Sequence, residues 1–268
     1  MGRIYVAPPD NHLTVDDGRV RVMHGPKENR HRPAVDPLFR SAARWYGSRV
    51  IGVVLTGSLD DGTAGLLSIK QRGGIAIVQD PENALCGDMP RNAIETVDVD
   101  YIVRLDAIPK LLQQLVPQEV TENGVGGSRQ LRKETEIAEL DMDAIEDENR
   151  PGTPSTFACP ECGGVLWELS GEKILRFRCR VGHAYTANSL SVEQSEQMEG
   201  ALWAAMRALE EGASLALRMA EKAARSKHRR AEKRYRERAA AKMQQAEALR
   251  GLIVERKEEP AELEENVS

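Results

Sequence analysis

One run of the sequence restricts the fold more than any other. Val50-Ile-Gly-Val-Val-Leu55 is continuously apolar and rich in β-branched side chains. A strand with both faces apolar must be covered on both, which is the environment of a central strand in a parallel sheet flanked by helices. The residues that follow complete the pattern. A loop spans Gly57 to Gly62, the stretch Thr63 to Arg72 has helical character and stops at Gly73-Gly74, and Ile75-Ala-Ile-Val78 reads as the next buried strand. Strand, helix and strand in this order make a βαβ unit, so the first part of the chain is α/β with a mostly parallel sheet. Upstream, Asp16-Asp-Gly18 between Val15 and Val22 signals a hairpin, and Ile4-Tyr-Val-Ala7 reads as extended.

Composition bounds the rest. The chain has 268 residues, 41% of them hydrophobic, enough for at least one real core. Its longest apolar run is far shorter than the roughly 20 residues that span a bilayer. Met1-Gly2-Arg3 leads straight into Ile4 with no apolar signal-peptide core. We therefore expect a cytosolic protein with no membrane insertion. Of the four cysteines, three lie between Cys159 and Cys179. In a reducing compartment that spacing favours a metal over disulfides, while Cys86 reads as inert packing. The net charge of −5 hides an uneven distribution: Pro117 to Thr156 holds ten acidic residues against four basic ones. This composition predicts an acidic linker over 117–156, with a transient helix over Leu131 to Glu146.

Three motifs in the first part resemble the CheB-type chemotaxis methylesterase family: Gly2-Arg-Ile-Tyr-Val-Ala-Pro-Pro-Asp-Asn-His12, Gly25-Pro-Lys-Glu-Asn-Arg-His-Arg-Pro-Ala-Val-Asp-Pro-Leu-Phe39, and Val54-Leu-Thr-Gly-Ser-Leu-Asp-Asp-Gly-Thr-Ala-Gly65. Gln79-Asp-Pro and Met89-Pro-Arg fall where that family has them as well. The resemblance covers about residues 2–116. It implies the C-terminal portion of a doubly wound, mostly parallel α/β domain that hydrolyses glutamyl methyl esters on methyl-accepting chemoreceptors with a serine, histidine and aspartate triad. It assigns the triad aspartate to Asp61 and puts Ser58 beside the oxyanion site. On local grounds alone, Asp60 or Asp61 reads instead as a cap for the helix that follows; the resemblance favours the triad role for Asp61. The family's serine turn and histidine motif lie upstream of the first motif quoted, and this sequence contains neither. His12, His24 and His31 lie in segments that match non-triad positions of the family, and neither they nor His183 and His228 offer an obvious substitute. We accordingly expect an N-terminally truncated enzyme or one half of a split gene, inactive alone, whose partner would be a separate N-terminal methylesterase fragment. The alternative is a non-catalytic adaptor in a chemosensory pathway.

The remaining sequence has its own chemistry. Cys159-Pro-Glu-Cys162, sixteen residues, then Cys179-Arg-Val-Gly-His183 supplies four ligands of the type that tetrahedral zinc takes. We expect a zinc-ribbon-like module over 157–187 with Cys159, Cys162, Cys179 and His183 as ligands. With every position taken by protein, the zinc would be structural. From 188 to 257 the pattern is helical. Leu202, Met206, Leu209, Ala213, Ala216, Ala220 and Ala223 form one stripe, a second helix carries Tyr235, Ala239, Ala246, Leu249 and Ile253, and a break falls near Ser226. Stripes this thin need a partner helix, so a helical hairpin or coiled coil is expected, dimerising through Leu202, Met206, Leu209, Leu249 and Ile253. The basic run Arg225 to Arg238 is interleaved with Glu232 and Glu237 and reads as a solvated face, not a nucleic-acid surface. Residues 258–268 are expected to form a disordered tail.

Overall fold

The hairpin and the βαβ unit form where the sequence places them. In a computed structural model of the chain, strands β1 (His12–Asp16) and β2 (Arg19–Met23) pair antiparallel, and helix α1 (Val35–Tyr46) follows. Strand β3 (Ile51–Val54), helix α2 (Thr63–Gln71) and strand β4 (Ile75–Gln79) are the predicted unit, with Ile51 opposite Ile75 in a parallel ladder. Helix α3 (Asp88–Thr96), strand β5 (Tyr101–Val103) and helix α4 (Ile108–Leu115) extend it. The parallel sheet has the order β3-β4-β5. Both faces are covered, as the apolar strands require. Val54, Leu66, Ile69, Ala76, Val78 and Ala93 cluster together, and Ile77 packs separately with Ile108 and Leu115. Ile4 to Ala7, read as extended, joins no sheet. Among the described residues no strand lies beside this segment to take its backbone, and Ile4 is 93% exposed. The description covers residues 2–120, 127–139, 141, 144, 152–169 and 173–256.

The acidic stretch departs from expectation. Ser128 caps helix α5 (Arg129–Ala138) by accepting from the Leu131 amide at 3.1 Å, and Leu131, Glu134, Thr135 and Ile137 are buried. A packed helix therefore stands where a linker with only a transient helix over Leu131 to Glu146 was expected, because its charged residues meet buried partners of opposite sign. Residues 121–126, 140, 142–143 and 145–151 lie outside the described residues, as does the expected tail 258–268. The cysteine-bearing region is a four-stranded antiparallel sheet in the order β6 (Thr153–Ala158), β7 (Val165–Glu168), β8 (Arg176–Cys179) and β9 (Ala184–Thr186). It does not stand apart: Met1–Glu193 form one compact unit and Gln194–Ser268 a second. The boundaries expected at 116 and 157 therefore separate no compact bodies.

The helical region has the expected break. Helix α6 (Ala187–Arg225) ends at Ser226-Lys-His228, where Lys227 adopts a left-handed φ of 58°, and helix α7 (Arg229–Arg256) follows. In the second unit the two helices run antiparallel over an alanine seam: Ala213, Ala216, Ala220, Ala239 and Ala246 are all buried, with Ile253. Small residues let the backbones approach closely. A Cβ on Gly212 would come within 2.9 Å of Lys242 Nζ, and Arg250 Nη2 reaches Glu210 Oε1 at 2.7 Å across the pair.

Candidate functional site

Asp60 and Asp61 lie buried in the loop that leaves the carboxyl end of β3. Neither side chain caps the helix that follows. The residue at the head of α2 is Gly62, with φ at 89°, and a Cβ there would meet Val35 Cγ1 at 2.9 Å. Asp61 caps a different helix. Its Oδ2 accepts from the Val35 amide at 2.7 Å and its Oδ1 from the Asp36 amide at 3.4 Å, the first two residues of α1. Asp36 returns the contact, Oδ1 accepting from the Gly65 amide of α2 at 2.7 Å. The two helices thus exchange acidic caps at their positive ends, a favourable place for carboxylates.

An asparagine joins this pair. The tight turn Glu28 to His31 places Asn29 and Arg30 at φ values of 48° and 74°, a conformation that asparagine tolerates well. Asn29 Nδ2 donates to Asp36 Oδ2 at 2.9 Å and to Asp61 Oδ1 at 3.2 Å. Burial, with the neighbouring charge of Asp36 second, pushes the Asp61 carboxyl up to about 7. Asp36 is raised too, again chiefly by burial. Asp60 is pushed up to about 6 by burial, against the opposing hydrogen bond from Thr186.

Among the described residues, the groups bonded to Asp61 are Asn29 and the amides of Val35 and Asp36; none is a histidine. The buried His12 serves the fold: its Nδ1 accepts from the Ala34 amide at 3.1 Å, so the proton sits on Nε2 and is donated to Pro26 O at 2.9 Å. Ser58 is exposed in the same loop as the aspartates, its Oγ 3.5 Å from Cys86 Sγ. Between them Leu59 holds a φ of 63°, secured by Asn92 Nδ2 donating to Leu59 O at 3.0 Å. That conformation is strained for leucine and shows how tightly the loop is determined by its surroundings.

The four predicted ligands converge. Cys159 Sγ lies 3.7 Å and Cys179 Sγ 3.5 Å from His183 Nδ1, Cys162 Sγ lies 3.7 Å from Cys179 Sγ, and all four donor atoms fall within 4.8 Å of one another. Ligands about 2.3 Å (sulfur) and about 2.0 Å (nitrogen) from one tetrahedral ion stand about 3.5–3.8 Å apart, the separation of these three pairs, so the donor set is of the kind and size that zinc takes. Two knuckles shape it. Gly163 N donates to Cys159 O at 2.8 Å, and Cys179 N donates to His183 O at 2.9 Å. All four cysteines are free thiols. The shared proton between two of them holds the Cys159 thiol low and Cys179 high, a pairing that a divalent cation would relieve.

Strand β8 ties this module to the first part of the chain. Arg176 and Arg178 alternate along it, so both point to one face. Arg176 makes two 2.9 Å bonds to Glu134 of α5. Arg178 Nη2 reaches Glu28 at 3.1 Å and Glu134 at 3.2 Å, while its Nη1 donates to Gly182 O at 2.8 Å. Arg40 of α1 donates to both Glu28 oxygens at 2.6 and 2.7 Å. All five side chains are buried. Burial works to raise Glu28 and Glu134, but the arginines outweigh it and hold both below the usual carboxylate range.

The first part of the chain is similar to known proteins. Residues 1–112 match the family described as CheB methylesterase. A relative from Leptospira interrogans is 44% identical over 115 residues, covering 42% of this chain and 60% of that protein. The protein-glutamate methylesterase/protein-glutamine glutaminase of Pyrococcus abyssi is 43% identical over 119 residues, covering 43% of this chain and 32% of its own length. The crystal structure of the Thermotoga maritima CheB methylesterase catalytic domain is 39% identical, covering 42% of this chain and 61% of that one, with a TM-score of 0.40. The chain thus matches about three fifths or less of each of these relatives. The CheB methylesterase match contains Ser58, Asp60 and Asp61 and ends before α5, the metal ligands and the helical hairpin.

Sequence reasoning singled out Asp61, which lies in the loop after β3, and four side chains that converge, and missed what joins them. Glu28 and Asn29 lie within a quoted motif and Arg40 directly after it, but none carried a local sign of its partners. Two signals were available: Arg176 and Arg178 at strand alternation just before Cys179, and Thr186-x-x-Ser189 at a helix start, the spacing of a cap.

Proposed function

We propose that this chain serves as part of a protein-glutamate methylesterase in a chemosensory methylation system, with Asp61 as the aspartate of a serine, histidine and aspartate triad. The observation that carries this reading is the match of residues 1–112 to the CheB methylesterase family, with Asp61 in the loop beyond the carboxyl end of a parallel strand, where open α/β sheets bind ligands. An aspartate there holds an imidazole in one tautomer and stabilises its charged form. Among the described residues Asp61 Oδ2 accepts one bond, from Val35, which leaves a lone pair for an incoming histidine. The substrates would be methyl-accepting chemoreceptors and the location cytosolic. Zinc on Cys159, Cys162, Cys179 and His183 would be structural.

Losing a triad serine or histidine costs about a million-fold in turnover, and this sequence contains neither family motif. The chain alone is therefore expected to release no measurable methanol from methylated receptor. Adding a polypeptide that carries the family's serine turn and histidine motif should restore release, and Asp61→Ala should abolish it. Restored hydrolysis that survives Asp61→Ala refutes the triad assignment. One observation favours a second reading, a non-catalytic adaptor: Asp60 and Asp61 are already engaged, by Thr186 and by Asn29 and the head of α1. On that reading no added fragment restores hydrolysis.

A further inference from the structure

The aspartate loop and the metal ligands, far apart in sequence, are joined through the amide of one residue. Asn29 Nδ2 faces Asp36 and Asp61, as described. Its Oδ1 faces the other way, accepting from the Thr186 amide at 3.1 Å and from Ser189 Oγ at 3.2 Å, at the junction of β9 and α6. Thr186 Oγ1 donates to Asp60 Oδ1 at 2.8 Å. The backbone agrees: Asn29 N donates to Ala184 O at 2.8 Å, and Ala184 N to Lys27 O at 3.3 Å. Ala184 is the residue after the ligand His183. From metal ligand to Asn29 the path is thus one peptide and one hydrogen bond long. A second path runs from the same knuckle, since Arg178 Nη1 holds Gly182 O and Nη2 holds Glu28, the neighbour of Asn29. Gly182 itself sits against the first part of the chain: with φ at 114°, a Cβ there would meet Pro26 Cγ at 2.8 Å and Ile137 Cγ2 at 3.0 Å.

We propose that metal binding at Cys159, Cys162, Cys179 and His183 fixes Thr186 and Ser189 on Asn29 and Asp60, making the C-terminal hairpin β8–β9 a metal-dependent positioning element of the aspartate site. The proposal rests on the zinc reading above and goes beyond it, because a structural zinc in an autonomous module would leave Asp61 untouched. The physical reason is the short span between the ligands Cys179 and His183. Without a cation, three sulfurs and an imidazole in contact have no common charge to hold them, and the knuckle whose carbonyls anchor Arg178 and Asn29 loses its shape. Asn29 then loses the acceptor that holds its backbone and the two donors on its Oδ1, and with them the orientation that presents Nδ2 to both aspartates. Thr186, Ser189 and Asn29 are positioning residues; none touches the metal.

Coupling of this kind is reciprocal: what the metal does to the aspartates, the aspartate contacts must do to metal affinity. The full chain is loaded with zinc, then stripped with a chelator, and amide hydrogen exchange is followed residue by residue. Stripping should speed exchange at least tenfold at the amides of Val35, Asp36 and Gly65, which bond to Asp61 and Asp36, while Val54 and Val78 in the parallel sheet keep their protection. Acceleration confined to 153–186 would overturn the proposal. In the reverse direction, Asn29→Ala should weaken zinc binding several-fold in competition with the chelator, with cobalt(II) absorption confirming an unchanged tetrahedral ligand set. Unchanged affinity in a folded Asn29→Ala chain would overturn the coupling while leaving the zinc reading intact. Absence of any bound zinc would overturn both. If Asn29→Ala does not fold, the exchange measurement on the unaltered chain decides.

Discussion

At the scale of single residues, Asp61 is held in a state that ordinary carboxylates avoid. Its carboxyl is up at about 7, from an ordinary 3.8, because burial disfavours the anion and Asp36 lies beside it. A folded-state value above the unfolded one means the folded chain binds that proton more tightly. The stability it contributes is fully present below about pH 4 and is lost as pH rises through about 7, up to about 4 kcal/mol shared with Asp36. Asp61→Asn has no such proton to lose, but gives up one acceptor among three donors, which costs about 1 kcal/mol. The variant should therefore melt below the unaltered chain at pH 4 and above it at pH 8, read by thermal unfolding across that range. A difference that stays constant with pH would mean that Asp61 is not buried with a proton at stake. Glu28 and Glu134 act with the opposite sign, since the arginines hold them low and their contribution is lost on acidification.

Among the elements, β8 carries the most consequence, because one four-residue strand supplies a metal ligand and two arginines that meet buried carboxylates. Buried ion pairs are weak evidence for stability, since desolvation offsets much of their attraction, yet removing one partner costs about 3–5 kcal/mol. Placing Arg176 and Arg178 on Glu134 and Glu28 therefore needs a well-shaped strand, and a closed metal site beside Cys179 would provide it. We expect one zinc per chain by elemental analysis of protein purified without chelator, with binding contributing about 10 kcal/mol or more to the folded module. Protein free of zinc under those conditions would refute the assignment of Cys159, Cys162, Cys179 and His183.

For the whole molecule, the helical hairpin leaves apolar surface beyond its alanine seam. Leu202, Met206, Leu209 and Leu249 are only half-buried, and Leu215 and Leu252 are exposed. Alanine buries little area, so the seam alone gives a thin margin over solvent, at about 25 cal/mol per Å² of apolar surface removed from water. We expect the full chain to form a homodimer that covers these leucines. Sedimentation as a monomer at tens of micromolar would instead leave the intramolecular seam as the hairpin's whole packing.

The buried apolar strands, the βαβ order, the hairpin turn, the metal-ligand spacing and the break near Ser226 were all legible in the sequence, because each arises between residues near one another in the chain, where dihedral preferences and side-chain periodicity act. Asp61 was legible as a residue of interest through its motif, but its partners were not. On local grounds Asp60 or Asp61 could have capped the adjacent helix; instead Gly62 turns left-handed at its head, where a side chain would meet Val35, and Asp61 accepts from the head of α1. The acidic stretch misled for a similar reason. Counting charges predicts a solvated linker, yet Glu134 lies against Arg176 and Arg178, more than forty residues away, and a charge is affordable in the interior only once its partner is known. Local order follows from local residues; which charges are buried, and which site a distant module closes upon, was decided only by contacts that the folded chain brings together.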